Sequence, residues 1–201
     1  MNRVLKGVGE FFLLALITLV APLAIYIDIT MLGNEVGEIS VTEFTQEGLL
    51  LMSAIIMTVL AVRRPDLRGL FALVAGFFGT MLIREFDFLF DMIWHGFWFW
   101  PAITLAIATV LYVLIKCRDT VIEPMARFFD TRAWFFLMAG LIIILVFSRV
   151  FGSGNLLWKE IMGEHYSHFF KSALQEGIEL LGYLFLATGS VMTLKQYRRV
   201  S

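Results

Sequence analysis

Residues 10–29 read EFFLLALITLVAPLAIYIDI, with charged side chains only at Glu10 and Asp28. A helix of roughly 20 such residues spans the ~30 Å hydrocarbon core of a bilayer. Hydrophobic residues make up 59% of the 201-residue chain and charged residues only 16%. A soluble domain of this length cannot bury that much apolar surface. The sequence therefore predicts a membrane protein.

Five further stretches have the same character. The predicted spans lie at residues 10–29, 43–62, 69–91, 97–116, 133–151 and 172–194. Their apolar runs are long and continuous rather than alternating, which favours helices over strands. We predict an all-α, polytopic membrane protein, a single domain over residues 1–201 containing a six-transmembrane-helix bundle. Residues 152–171 are expected to form an extracytoplasmic segment that lies at the membrane interface.

The loop charges predict the orientation of the spans. Twelve of the 16 basic residues fall on one side of this arrangement: Arg3, Lys6, Arg63, Arg64, Arg68, Lys116, Arg118, Arg127, Arg132, Lys195, Arg198 and Arg199. Twelve of the 17 acids fall toward the other side. Because basic loops stay in the cytoplasm, we expect both termini to be cytoplasmic and the protein to lie in the cytoplasmic (inner) membrane.

The composition also excludes several classes of function. The net charge of −1 gives no basic field for nucleic acid. Cys117 is the only cysteine, so no disulfide forms within the chain. No glycine-rich nucleotide-binding motif is present. The partner that the sequence does predict is the lipid bilayer, with a membrane-protein partner or a second copy of the chain left open.

Short motifs recur in the two ends of the chain. FFL occurs at 11–13 and 135–137, QEG at 46–48 and 175–177, and RR at 63–64 and 198–199. The common order is typical of a weak parallel repeat of spans one and two in spans five and six, as in several transporter folds. Chance is the alternative, since a few matching tripeptides are expected in any chain of this length.

Small residues recur every four positions in the third predicted span, at Ala72, Gly76 and Thr80. Such spacing predicts that this helix approaches a neighbouring helix closely.

Ionisable residues inside the predicted spans indicate where function could reside. At ~1.5 Å per residue, Glu47, Arg84, Arg149 and Glu179 all lie about 22–24 Å from the basic end of their spans. We expect them, with Glu176, to form a layer of buried ion pairs or a relay for protons or cations; the third alternative is that they extend to the membrane interface without pairing.

A second group of candidate residues lies on the predicted outer side. Arg84, Asp87, Asp91 and His95 share one face if the third helix continues through them. His165 and His168 also fall on that side. Imidazole nitrogens from these three histidines, together with the two aspartates, would suit a divalent metal such as Zn²⁺.

Three functions remain open from the sequence. The first is binding or transport of protons or small cations by the charged layer. The second is a metal-dependent membrane hydrolase, because an open metal site activates water. The third is a non-catalytic accessory subunit in which the charges only stabilise packing.

Residues 40–43, SVTE, have the form of a capping box, which predicts the start of a helix.

Overall fold

Helices form every regular element of the computed structural model, which describes residues 2–34, 36–37 and 39–198. No strand occurs in those residues, so the prediction of an all-α protein is confirmed. Arg199, which entered the charge count and the repeat, lies outside the described residues, as do Glu35 and Glu38 from the count of acids.

Six helical segments are long and apolar enough to cross a membrane. They are Arg3–Met31, Val41–Arg63, Pro65–Glu85, Phe99–Lys116, Arg132–Phe151 and His168–Tyr197. The sequence predicted six spans, and the structure confirms six helices that are long and apolar enough to be spans. The side on which the termini lie, the repeat and the single-domain organisation stay predictions.

The α-helices are α1 (Asn2–Tyr26), α2 (Val41–Arg63), α3 (Arg68–Glu85), α4 (Asp87–Asp91), α5 (Phe99–Lys116), α6 (Ile122–Phe129), α7 (Arg132–Ile142), α8 (Ser148–Phe151), α9 (Lys159–Met162) and α10 (His168–Tyr197). Three π-helical turns occupy Ile27–Met31, Ile143–Phe147 and Gly154–Trp158. Three 3-10 turns occupy Pro65–Leu67, Arg118–Thr120 and Gly163–His165. The first π-turn extends α1, and the second joins α7 to α8 within one candidate span.

The third span was predicted to extend to residue 91, beyond the C-terminal end of the α3 helix. The α3 helix ends at Glu85, because Phe86 has φ −84° and ψ 23°, outside the helical range. A separate short helix, α4, follows and ends at Asp91. The expectation that one continuous helix carries Arg84 through His95 on a single face is therefore wrong.

Two other helices begin earlier than predicted, where side chains cap their first turns. The α2 helix begins at Val41, and the Ser40 hydroxyl accepts a hydrogen bond from the backbone N–H of Glu43 at 3.1 Å. This confirms the helix start indicated by the SVTE motif. The α10 helix begins at His168, after Ser167, whose hydroxyl accepts from the N–H of Phe170 at 3.2 Å.

The segment predicted to be interfacial is helical only in short pieces. It contains the π-turn Gly154–Trp158, α9 and the 3-10 turn Gly163–His165. Trp158 is buried, and its indole ring packs beside Phe151 and Phe170.

The chain divides into two compact units, and all three boundaries between them fall inside helices. One unit consists of residues 1–46 and 140–184, and the other of residues 47–139 and 185–201, apart from the positions not described. The first is called the Asp28 unit below, and the second is called the Glu47 unit.

Within the Glu47 unit, α3 and α5 pack closely through glycine. A Cβ atom on Gly76 would lie 2.5 Å from Thr109 Cγ2, and one on Gly79 would lie 2.8 Å from Leu105 Cδ2. Real Cβ atoms do not approach other atoms so closely, so the absence of a side chain permits this packing. The close approach predicted from the small-residue spacing is confirmed at Gly76.

An aromatic cluster lies at the junction of α2 and α3 in the same unit. Phe71 packs edge-on against both Phe128 and Tyr197.

The Arg64 guanidinium lies over the Tyr197 ring and donates to Asp66 through Nε and Nη2, at 3.0 and 2.7 Å. These hydrogen bonds raise the pKa of Arg64, so its side chain remains a cation.

Within the Asp28 unit, α10 packs against the π-turn Ile143–Phe147. A Cβ atom on Gly182 would lie 2.5 Å from Ile144 Cγ1 and 3.0 Å from the carbonyl oxygen of Gly140. Ile144 is fully buried at this crossing. Gly182 therefore brings α10 close to the part of the chain that leads into Ser148 and Arg149.

Candidate functional site

Three carboxylates in the candidate spans are buried. Asp28, Glu47 and Glu179 expose 0%, 8% and 4% of their surface, respectively. An ionised carboxylate away from water costs several kcal/mol unless hydrogen bonds or an opposite charge compensate it. The partners of each side chain therefore indicate its role.

Asp28 is held by the first turn of α2. Its Oδ1 accepts a hydrogen bond from the N–H of Val41 at 2.7 Å, and its Oδ2 accepts from the N–H and the hydroxyl of Thr42 at 2.9 and 2.6 Å. The first N–H groups of a helix have no partner within it, and the positive end of the helix dipole favours an anion there. Asp28, which lies in the π-turn Ile27–Met31, therefore caps the N-terminus of α2.

Glu179 is surrounded by three donors. Its Oε1 lies 3.0 Å from the Ser148 hydroxyl, 3.2 Å from Gln175 Nε2 and 3.5 Å from Arg149 Nη2. The Ser148 hydroxyl also lies 2.7 Å from the carbonyl oxygen of Ile144, and its single proton serves one acceptor at a time. The charge of Glu179 is thus compensated within the Asp28 unit.

The π-turn before Ser148 helps to build this arrangement. The N–H of Ser148 bonds to the carbonyl of Ile143, five residues back, rather than four as in an α-helix. One extra residue in the turn rotates the following side chains around the helix axis. Gly152 contributes by lacking a side chain, because a Cβ atom there would collide with the amide group of Gln175.

Gln46 joins α2 to α10 in the same unit. Its Nε2 donates to the carbonyl oxygen and to Oε2 of Glu176, at 3.0 and 3.2 Å, and the side chain is buried. Glu176, named from the sequence as part of the charged layer, is therefore engaged by an amide.

Glu47 differs from the other buried carboxylates. Among the described residues its side chain has no hydrogen-bond donor and no ion-pair partner, and the charge that acts on it is the like charge of Glu85. Arg84 lies with Nη1 3.2 Å from Glu85 Oε1, and the side chains of Arg84 and Glu85 are 41% and 12% exposed. Arg84 thus pairs with its neighbour in sequence.

This arrangement can accept a positive charge. A buried carboxylate that has no cationic partner is stabilised by a proton or a small cation, which removes its uncompensated charge. Glu47, Glu85 and Arg84 all belong to the Glu47 unit. They make up the candidate site of this protein.

Three of the five predicted metal ligands, Asp91, His95 and His168, make local contacts in the structure. His95 is fully exposed, with Nδ1 2.8 Å from Asp91 Oδ2, and Asp91 Oδ1 accepts from the N–H of Gly96 at 2.7 Å. His168 Nδ1 lies 3.4 Å from the Ser172 hydroxyl. In the described part of the chain, no group of three or more His, Cys, Asp or Glu side chains could hold a metal ion. Within the described residues, the expected metal site is therefore not formed by Asp87, Asp91, His95, His165 and His168.

Several contributing residues were missed from the sequence. Asp28 and Ser148 carry no motif, and Gln175 was noted only as part of the QEG repeat, so only their proximity in the fold reveals their role. Glu85 had a usable signal, since it directly follows Arg84 and a neighbouring acid is the simplest partner for an arginine.

No protein-family model, no curated protein and no solved structure matches this chain.

Proposed function

We propose that this chain is an integral, multi-pass protein of the inner membrane that binds protons or small cations at Glu47 and passes them across the bilayer. Both termini are placed in the cytoplasm, following the bias of basic residues. Six helices of sufficient length and apolar character support the membrane setting.

The single observation that carries the proposal is the isolation of Glu47. Glu47 is 8% exposed and its side chain has no described basic partner, whereas Glu179 has Arg149 and Asp28 caps a helix. Ionisable groups at membrane depth are costly and typically mark ion or proton pathways. The like charge of Glu85 also acts on Glu47, and the ion pair with Arg84 offsets part of it.

The proposal is tested in proteoliposomes that contain a pH-sensitive dye. After a pH gradient or a membrane potential is imposed, the wild-type protein is expected to move protons or the supplied Na⁺ or K⁺. Glu47→Gln keeps the size of the side chain and removes its charge, so we expect the flux to be lost. The matched control is Glu123→Gln, the same chemical change at an exposed carboxylate outside the candidate spans.

Two outcomes oppose the proposal. A Glu47→Gln variant that folds and retains wild-type flux removes Glu47 from the pathway. Wild-type protein that produces no flux above empty vesicles removes the transport activity.

A second candidate, a non-catalytic accessory subunit of a membrane complex, is supported by the ion pairs. Arg149 with Glu179 and Arg84 with Glu85 compensate one another, as expected of charges that stabilise packing. This candidate predicts that Glu47→Gln changes the yield of folded protein or of the complex without changing any flux. No observation favours the hydrolase.

A further inference from the structure

A groove of about 630 Å³ opens among α2, α3 and α5, and every residue that lines it belongs to the Glu47 unit. Small side chains form its walls, including Ala54, Ala72, Ala75 and Ala108. Ala108 is exposed and Ala72 is half-buried, so the groove is open along the side of the helices. Its volume lies in the range of about 300–1,000 Å³ that small-molecule sites occupy.

One end of the groove is cationic. Arg68, the first residue of α3, lies there together with Tyr112, near the last turn of α5. The Arg68 Nε donates to the carbonyl oxygen of Ala61 at 3.2 Å. No carboxylate in the described part of the chain forms an ion pair with Arg68.

The surroundings of Arg68 increase this positive charge. Lys116 ends α5, and its side chain is exposed. The groove is therefore cationic at the Arg68 end, while most of its length is lined by apolar side chains. Basic pockets between membrane helices bind the headgroups of anionic lipids, and an apolar channel beside them accepts an acyl chain.

We propose that this groove binds an anionic phospholipid, with the phosphate on Arg68 and one acyl chain along the alanine-lined wall. The charges are complementary, because the Arg68 guanidinium, which has no carboxylate partner among the described residues, matches a phosphate, and the alanine-lined wall leaves apolar space for an acyl chain. The site is separate from the Glu47 carboxylate and does not depend on transport.

The test uses the full-length protein in detergent and native mass spectrometry with phosphatidylglycerol and phosphatidylcholine of the same acyl chains. We expect one phosphatidylglycerol to bind at least about fivefold more tightly than phosphatidylcholine, the preference that one well-placed cation gives. Arg68→Gln is expected to abolish the preference. Ala72→Leu, which fills the groove, is expected to weaken binding of both lipids. If Ala72→Leu does not fold, Ala108→Leu replaces it, because that lining residue is exposed.

Arg63→Gln is the matched control, since it removes an arginine that is exposed beside the groove rather than lining it. We expect it to keep the preference within about twofold. Equal binding of the two lipids to the wild type, or an equal loss of preference in Arg63→Gln and Arg68→Gln, would overturn the proposal. A wild-type dimer that Ala72→Leu dissociates while lipid binding is kept would also overturn it, by assigning the groove to a second copy of the chain.

Discussion

Arg149 Nη2 lies 3.5 Å from Glu179 Oε1, and this pair joins α8 to α10 inside the Asp28 unit. The Glu179 side chain is 5% exposed and that of Arg149 is 42% exposed. The carboxylate is thus the desolvated member of the pair, and the guanidinium extends toward the surface. The pair needs no proton or cation to complete it, which separates Glu179 from Glu47.

Breaking this pair is expected to destabilise the fold. Arg149→Gln leaves Glu179 with Ser148 and Gln175 only, so we expect the free energy of unfolding to fall by about 1–2 kcal/mol, less than for a fully buried pair because Arg149 is half exposed. Thermal unfolding in detergent measures the loss. In a double-mutant cycle with Glu179→Gln, the two substitutions should couple. Additive losses would show that the contact contributes nothing.

The helix crossing at Gly182 gives a steric prediction. Gly182→Ala places a Cβ atom 2.5 Å from Ile144 Cγ1 and 3.0 Å from a backbone oxygen, and the backbone cannot move aside cheaply. We expect a loss of about 1–3 kcal/mol in unfolding free energy.

The control for that substitution is Gly48→Ala in α2, where a Cβ atom meets nothing within 4 Å. Because alanine favours a helix more than glycine does, this variant should be unchanged or more stable, by up to about 1 kcal/mol. Equal unfolding temperatures for Gly182→Ala and the wild type would contradict the close approach of α10 to the π-turn.

The cap at Asp28 predicts a graded effect. Asp28→Ala leaves the N–H groups of Val41 and Thr42 without their buried acceptor, and we expect a loss of about 2 kcal/mol. Asp28→Asn keeps one acceptor oxygen and should lose about half as much. Chemical denaturation in detergent compares the two variants. A larger loss for the asparagine than for the alanine would argue against capping as the role of this residue.

Gly152 offers a test that acts on Glu179 through Gln175. Gly152→Ala is expected to displace the amide of Gln175, since the added Cβ atom would overlap it. The hydrogen bond from Gln175 to Glu179 should then be lost, at a cost of about 1 kcal/mol. Gln175→Leu removes the same hydrogen bond, so the double variant should be no less stable than the worse of the two single variants. A double variant with the sum of both losses would show that Gly152 acts elsewhere.

The spans were predictable from sequence because hydropathy is a local property. Twenty apolar residues in a row determine a membrane helix without reference to any other part of the chain. The end of α3 was not predictable in this way. The spacing of Arg84, Asp87 and Asp91 is helical, and only the backbone at Phe86 interrupts it.

The pairing of the charges could be predicted only in part. Depth along a helix follows from residue number, and this placed Arg149 and Glu179 at similar heights. Which side chains face each other depends on how each helix is rotated about its axis. The π-turn Ile143–Phe147 changes that rotation, and the sequence contains no signal from which the change could be predicted. The role of Asp28 was hidden for a related reason, since its partners lie 13 and 14 residues away across a loop.

The most direct test of the role of Glu47 is covalent labelling with a hydrophobic carbodiimide, followed by mass-spectrometric mapping of the modified carboxyl groups. The reagent reacts with protonated carboxylic acids in apolar surroundings, so it distinguishes a carboxyl group that holds a proton from a carboxylate held by an arginine. We expect the adduct on Glu47 and none on Glu179. An adduct on Glu179 with Glu47 unmodified would contradict the assignment of Glu47 as the site that takes up the positive charge.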